Sequence, residues 1–320
     1  MKTMRWGILG CGHIAGKFAR DLALVPDAAL VASWGRNPEN VCRFAAQYGG
    51  QGDVSRAAFL ANPEIDVVYV ASPHHLHLQD TLDCLEAGKA VLCEKPFGQD
   101  LKAATRVFEV ARSKNLFVME ALWTRFLPHL KKALELVEQG ILGDVRMVEA
   151  DFGIEVPFNE TSRLFMASSG GSLWDIGIYP IFLARLFLGN PTRVKAMADW
   201  APTGVDQRLS MALAFEGGKY AQLYSGFCER TECTATLHGS LGKLRIEGQF
   251  HVPSNLVLTD KNGVATRLEF PREGFGYQHE TVHVHECLRA GLIESPLWTH
   301  ADTLGLLGLM ERVARSTREE

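Results

Sequence analysis

Several short clusters of residues have types and spacings suited to chemistry. Gly10-Cys-Gly12-His13-Ile14-Ala15 follows a short apolar run. A turn of this kind lets the backbone bend sharply at its first glycine and approach a pyrophosphate at its second. The small third residue packs helix against strand, and the N–H groups that open the helix then point at the phosphates. About twenty residues on, where an NAD site would carry a carboxylate for the ribose 2'-hydroxyl, the chain reads Ser33-Trp34-Gly35-Arg36-Asn37. A hydroxyl and a guanidinium suit an added 2'-phosphate better, so Ser33 and Arg36 favour NADP(H), with NAD(H) the alternative. A third cluster, His279-Glu280-Thr281-Val282-His283, has the spacing of two zinc-binding imidazoles and a general base on one helical face.

The elements needed to position the first two clusters are present. Residues 4–9 form a strand, 13–24 a helix, 29–34 a second strand and 66–71 a third, which runs into Ser72-Pro73-His74-His75-Leu76-His77. A helix then extends to Ala87, with Gly88 at its end, and strand 90–93 leads into Glu94-Lys95-Pro96. Such alternation predicts a Rossmann-like, doubly wound parallel sheet, in which ligands lie beyond the carboxyl ends of the strands. Ser72, Pro73, His77, Glu94 and Lys95 therefore join Gly10, Gly12, His13 and Ile14 as candidate cofactor contacts.

The order of these motifs resembles the Gfo/Idh/MocA oxidoreductases, the family of glucose-fructose oxidoreductase and inositol dehydrogenase. The resemblance continues through Glu120-Ala-Leu-Trp123-Thr-Arg125-Phe126, Gly170-Gly171-Ser-Leu-Trp-Asp175-Ile-Gly-Ile-Tyr179-Pro180 and Glu294-Ser-Pro296. Tyrosine at 179 is closest to the dihydrodiol and D-xylose dehydrogenase branch. The resemblance implies hydride transfer at a carbinol carbon, which needs a group to exchange the hydroxyl proton. Tyr179 takes that role. A phenol ordinarily titrates near 10, so a neighbouring ammonium must favour its ionised form, and Lys95 is the candidate. Asp175, four residues before Tyr179, is expected on the same helical face, orienting the lysine or a substrate hydroxyl. The Lys95–Pro96 bond is expected to be cis, as in the family. Trp123, Arg125, Phe158 and Arg163 are candidate substrate contacts, with packing as the alternative for the first two.

From Asp144 the pattern becomes alternating strands, at 145–155, 193–200, 207–216, 219–228, 231–238 and 242–247. A mostly antiparallel open sheet in a C-terminal α+β domain follows. The expected division is a dinucleotide-binding domain over 1–122 and a substrate and dimerisation domain over 123–320, with a last helix near 301–315 packing back on the first. One sheet face is expected to carry the helix of Asp175 and Tyr179. The other would expose apolar residues unless covered in a homodimer.

Composition bounds the partners. With 320 residues, 47% hydrophobic and 22% charged, the chain is long enough for two domains, and a net charge of −4 disfavours nucleic acid. No signal-peptide core or spanning stretch is legible, so no membrane association and a cytoplasmic location are expected. The seven cysteines are scattered without a C-x-x-C pair, which fits reduced thiols. The HExxH segment lacks the further Gly and His of the extended zinc motif and explains nothing before residue 180, so no metal is expected. The substrate is expected to be a sugar, polyol or trans-dihydrodiol. A nucleotide-binding sensor without turnover is the alternative, and a zinc hydrolase the third choice.

Overall fold

The computed structural model describes residues 2–52 and 55–318. It divides into two compact units, residues 1–126 with 273–304, and residues 127–272 with 305–320.

In the first unit, strands β1 (Met4–Leu9), β2 (Ala28–Trp34), β3 (Gln51–Gly52), β4 (Val67–Val70), β5 (Ala90–Glu94) and β6 (Val118–Ala121) alternate with helices α1 (His13–Leu22), α2 (Pro38–Tyr48), α3 (Arg56–Ala61), α4 (His77–Glu86) and α5 (Leu101–Lys114). The strands are all parallel, in the order β3-β2-β1-β4-β5-β6. Every residue of β4 and β5 is buried, as helices on both faces of a parallel sheet require. The order in which successive strands are added reverses between β1 and β4, so the crevice of this doubly wound sheet opens where the Gly10 turn and Ser72 emerge.

The second unit begins with α6 (Pro128–Glu138) and β7 (Val145–Gly153), followed by α7 (Ile178–Leu188) and strands β8 (Arg193–Trp200), β9 (Asp206–Phe215), β10 (Lys219–Gly226), β11 (Ala235–Gly239), β12 (Gly242–Ile246), β13 (Leu256–Asp260) and β14 (Ala265–Leu268). These form one sheet, β14-β13-β12-β11-β7-β10-β9-β8, in which only the β7–β10 pair is parallel. Helix α7 is buried from Ile178 to Ala184, as its almost wholly apolar sequence requires.

Three sequence expectations change. The strand expected from 231 starts at Ala235, because the Asp151 carboxylate accepts the Cys233 and Thr234 N–H groups at 2.8 and 3.1 Å and Cys233 adopts a positive φ of 52°. The β13–β14 hairpin is additional. Asp260 closes its turn by accepting the N–H groups of Asn262 and Val264, at 2.8 and 2.9 Å. The return to the first unit is made by residues 273–304, which include α8 (Tyr277–Arg289). Of α9 (His300–Ser316), only the first turn belongs there. The Asp21 carboxylate fixes α8 by accepting the N–H groups of Phe275, Gly276 and Tyr277. The open sheet face is mixed in character. One cross-strand row reads Thr236, Glu149, Gln222, Ala212, Lys195, while Met197, Trp200 and Tyr220 are exposed nearby. Among the described residues no helix is long and apolar enough to cross a membrane.

Candidate functional site

The glycine turn separates two requirements. Gly10 has φ +105°, and a Cβ there would lie 2.6 Å from the carbonyl carbon and oxygen of Ala71, so both conformation and space demand glycine. Gly12 is the N-cap of α1, with an extended backbone and no side-chain cap, and a Cβ there would meet nothing within 4 Å. Open space therefore lies before helix N–H groups that lack intrahelical partners, which suits an anionic group. His13 is exposed and Ile14 half-buried at this entrance, while Ala15 is fully buried beneath it.

At the end of β2 the two expected phosphate contacts part. Ser33 is fully buried, with its hydroxyl turned inward beside the Cys11 thiol, whose pKa burial pushes up to about 11. The Ser33 side chain thus lies inside the fold at the end of β2. Arg36 is exposed beyond the strand end. Asn37 caps α2 by accepting from the Glu39 and Asn40 N–H groups.

Beyond β4 and β5, His77 is also internal. It is fully buried, with Nδ1 2.8 Å from the Pro96 carbonyl and Nε2 2.8 Å from the Ser72 carbonyl. It ties the two loops together from inside. Burial lowers its pKa, against the pull of the two carbonyls. The Ser72 hydroxyl is buried with no protein partner at the crevice, beside the exposed Pro73.

Glu94 is likewise internal. It accepts from the Tyr69 hydroxyl and, at 3.1 Å, from the Lys95 N–H. Glu120 accepts from Phe97 N at 2.9 Å and Trp298 Nε1 at 3.1 Å. Burial raises both carboxyl pKa values, and the positive charge of Lys95 opposes the rise at each. Lys95 itself is half-buried at the end of β5, and its bond to Pro96 is cis. Trp123 is 6% exposed and stacks on Tyr277 at 4.5 Å with an interplanar angle of 2°, while Arg125, on the same 3-10 turn, is half-buried.

In the second unit, Asp175 lies in a π-helical turn, Leu173–Gly177, that runs into α7. The regular helical spacing expected for Asp175 and Tyr179 is therefore interrupted by a wider turn. Asp175 is 7% exposed and accepts from Arg163 Nη1 at 2.8 Å, so Arg163 is its ion-pair partner. Tyr179 is 4% exposed, with its ring 5.6 Å from Phe152 and 5.1 Å from His251. His251, from the segment after β12, stacks on Phe152 at 4.2 Å; no motif or periodicity in the sequence singles it out. Phe158 is exposed and meets Phe165 edge-on at 5.1 Å.

In the HExxH segment of α8, Glu280 and His283 are buried and His279 is half-buried. His283 Nε2 lies 2.7 Å from Ser295 Oγ and its ring stacks on Phe126. Glu280 is fully buried, and burial, then the charges of Glu94 and Asp21, raise its pKa well above the carboxylate range. Among the described residues no group of three or more His, Cys, Asp or Glu side chains is arranged to hold a metal.

Comparison with known proteins adds to this geometry. Residues 4–122 match the model of the GFO/IDH/MocA oxidoreductase family, NAD-binding Rossmann fold, and residues 130–245 match the GFO/IDH/MocA C-terminal domain. The chain is 32% identical over 330 residues to trans-1,2-dihydrobenzene-1,2-diol dehydrogenase of Sus scrofa, covering 98% of this chain and 97% of that one. The Homo sapiens enzyme is 31% identical with the same coverage. Among solved structures, a 3-ketoreductase from Actinomadura kijaniata in complex with NADP and TDP-benzene superposes with a TM-score of 0.89 at 27% identity, covering 98% of each chain. An aldose-aldose oxidoreductase from Caulobacter crescentus, complexed with glycerol, gives a TM-score of 0.90 at 26% identity, covering 99% of this chain and 98% of the other.

Proposed function

Because this chain belongs to the GFO/IDH/MocA oxidoreductase family, we propose that it is an NADP(H)-dependent dehydrogenase or reductase acting on a CH–OH group of a sugar, polyol or trans-dihydrodiol. The observation that carries this assignment is the turn at the reversal of sheet order: Gly10 fits no larger residue, whereas Gly12 leaves space before the open end of α1. The buried, unpartnered Ser72 hydroxyl at the same crevice fits a polar ligand there. Gly10, Gly12 and the first N–H groups of α1 would hold the pyrophosphate. Arg36 would hold the 2'-phosphate, since it is the exposed cation beyond β2. The relatives named for NADP complexes and for dihydrodiol oxidation support the cofactor and substrate class.

Bound nicotinamide supplies the hydride acceptor or donor. In the oxidative direction Tyr179 takes the proton of the substrate hydroxyl as the C–H bond yields its hydride, and in the reductive direction it returns that proton to the carbonyl oxygen. Lys95 stabilises the ionised phenol and the developing charge on the reacting oxygen. Asp175, held by Arg163, accepts a hydrogen bond from a substrate hydroxyl. The same assignment includes a cytoplasmic protein and a homodimer formed through the C-terminal sheet, supported by the exposed Met197, Trp200 and Tyr220.

Tyr179→Phe tests the chemistry. It should lower kcat by about 100-fold or more, the size of a general acid–base contribution, while NADPH binds as in the wild type. Turnover at the wild-type rate would reject Tyr179 as the proton-transfer group.

A further inference from the structure

Asp175 and Tyr179 reach their places through an unusual local backbone. A π turn closes i→i+5 hydrogen bonds, is rarer than an α turn, and persists where its surroundings hold it. Here the turn is entered through Gly170-Gly171-Ser172, and two strands grip its ends. At its start, the Oδ2 atom of Asp206, the first residue of β9, accepts the Leu173 N–H at 2.7 Å and the Ser172 hydroxyl at 3.0 Å. Leu173 N–H belongs to the set at a helix start that has no intrahelical acceptor. Gly171 has φ +108°, and a Cβ there would run into Asp206 Oδ1. The fit between glycine and carboxylate thus leaves no room for a side chain. Ser172 Oγ is also 3.1 Å from Ser225 Oγ on β10. At the far end of the turn, a Cβ on Gly177 would fall 2.9 Å from that same Ser225 hydroxyl.

We infer that Asp206 is a positioning residue that sets the rotational phase of Asp175 relative to Tyr179 by anchoring the π turn. The inference rests on the assignment of those two residues to the reaction. Each residue of an α-helix advances about 100° around the axis, so relaxation of the π turn to α register would swing Asp175 by an angle of that order relative to Tyr179. Asp206 is buried beneath the turn and acts through it. Its effect falls on the step that needs Asp175 and Tyr179 together, and not on nucleotide binding by the glycine turn.

The test compares Asp206→Leu, which offers no acceptor, with Asp206→Asn, whose carbonyl oxygen can accept both bonds. Amide hydrogen exchange over residues 172–181, NADPH affinity, kcat and KM are measured for each. Asp206→Leu should speed exchange in that segment and lower kcat, each by about 10-fold or more, while the Kd for NADPH stays within about 2-fold. Asp206→Asn should restore both to within about 3-fold. If the leucine variant does not fold, Ser172→Ala removes one of the two bonds to Asp206, and kcat should fall about 3-fold with unchanged NADPH affinity. Equal loss of kcat in the Leu and Asn variants, wild-type kcat in the leucine variant, wild-type kcat in Ser172→Ala, or parallel loss of NADPH binding would each overturn the inference. If the wild type turns over no sugar, polyol or diol, the functional assignment fails. Exchange alone then decides for Asp206, with protection lost in Leu and kept in Asn supporting the anchor and unchanged protection rejecting it.

Discussion

Gly12→Ala should separate nucleotide binding from folding. The backbone at Gly12, φ −97° and ψ −172°, is open to alanine, and the new methyl would meet no protein atom within 4 Å. The fold should therefore lose about 1 kcal/mol or less, the difference between glycine and alanine at an N-cap. The methyl would instead occupy the space before the first N–H groups of α1, where a pyrophosphate must approach. A hydrogen bond between such a group and a charged oxygen contributes roughly 1.5–3 kcal/mol, so displacing one should raise the Kd for NADPH by about 10- to 100-fold. Gly10→Ala is the counterpart. Its φ of +105° and the 2.6 Å approach to Ala71 make the substitution strained before any ligand arrives, so stability and binding should fall together. Thermal melts of the ligand-free variants and titrations following nicotinamide fluorescence provide both readouts. Wild-type NADPH affinity in Gly12→Ala, or a loss of stability matching that of Gly10→Ala, would refute the reasoning.

Two further outcomes are expected. Arg36→Ala should weaken NADPH by about 10-fold or more while leaving NADH nearly unchanged, since only the former carries the 2'-phosphate; equal weakening would remove Arg36 from that role. Asp206 should appear in the pH dependence of stability. Burial raises its pKa from 3.8 to about 6, so the folded protein holds this proton more tightly than the unfolded chain does. The stability it contributes is fully present below its unfolded pKa and is lost as pH rises through its folded pKa. Relative to Asp206→Asn, the wild type should gain about 2 kcal/mol in urea unfolding between about pH 7.5 and about pH 4.5. A difference that does not change with pH contradicts the shift.

The first half of the fold was legible because its signals are local. The apolar run 4–9, the glycine turn and the helix after it each follow from residues adjacent in sequence, and the observed β1 and α1 match them to within two residues. Side-chain direction at the strand ends was less legible. Ser33 and Arg36 looked equivalent as hydrogen-bonding residues near the end of β2, yet Ser33 lies within the strand and is buried, whereas Arg36 lies two residues beyond it and is exposed. His77 looked like a contact because of its place in the sequence. Its ring spans two carbonyls supplied by segments five and nineteen residues away, which no local pattern announces. The features missed in the second unit depend on distant partners. The π turn needs Asp206, thirty-three residues beyond Leu173, and His251 reaches Tyr179 from a segment with no pattern of its own. The HExxH spacing was readable, but its Glu280 carboxyl and His283 imidazole are buried against the rest of the first unit, and spacing alone carries no information about which face is buried.

The central claim is that the glycine turn binds NADP(H) for oxidation or reduction of a carbinol carbon. It is tested most directly by titrating the purified protein with NADPH and NADH, following nicotinamide fluorescence, and then adding a panel of sugars, polyols and trans-dihydrodiols. The expected result is tighter binding of NADPH than of NADH and turnover of at least one member of the panel. Binding of neither nucleotide would contradict the account.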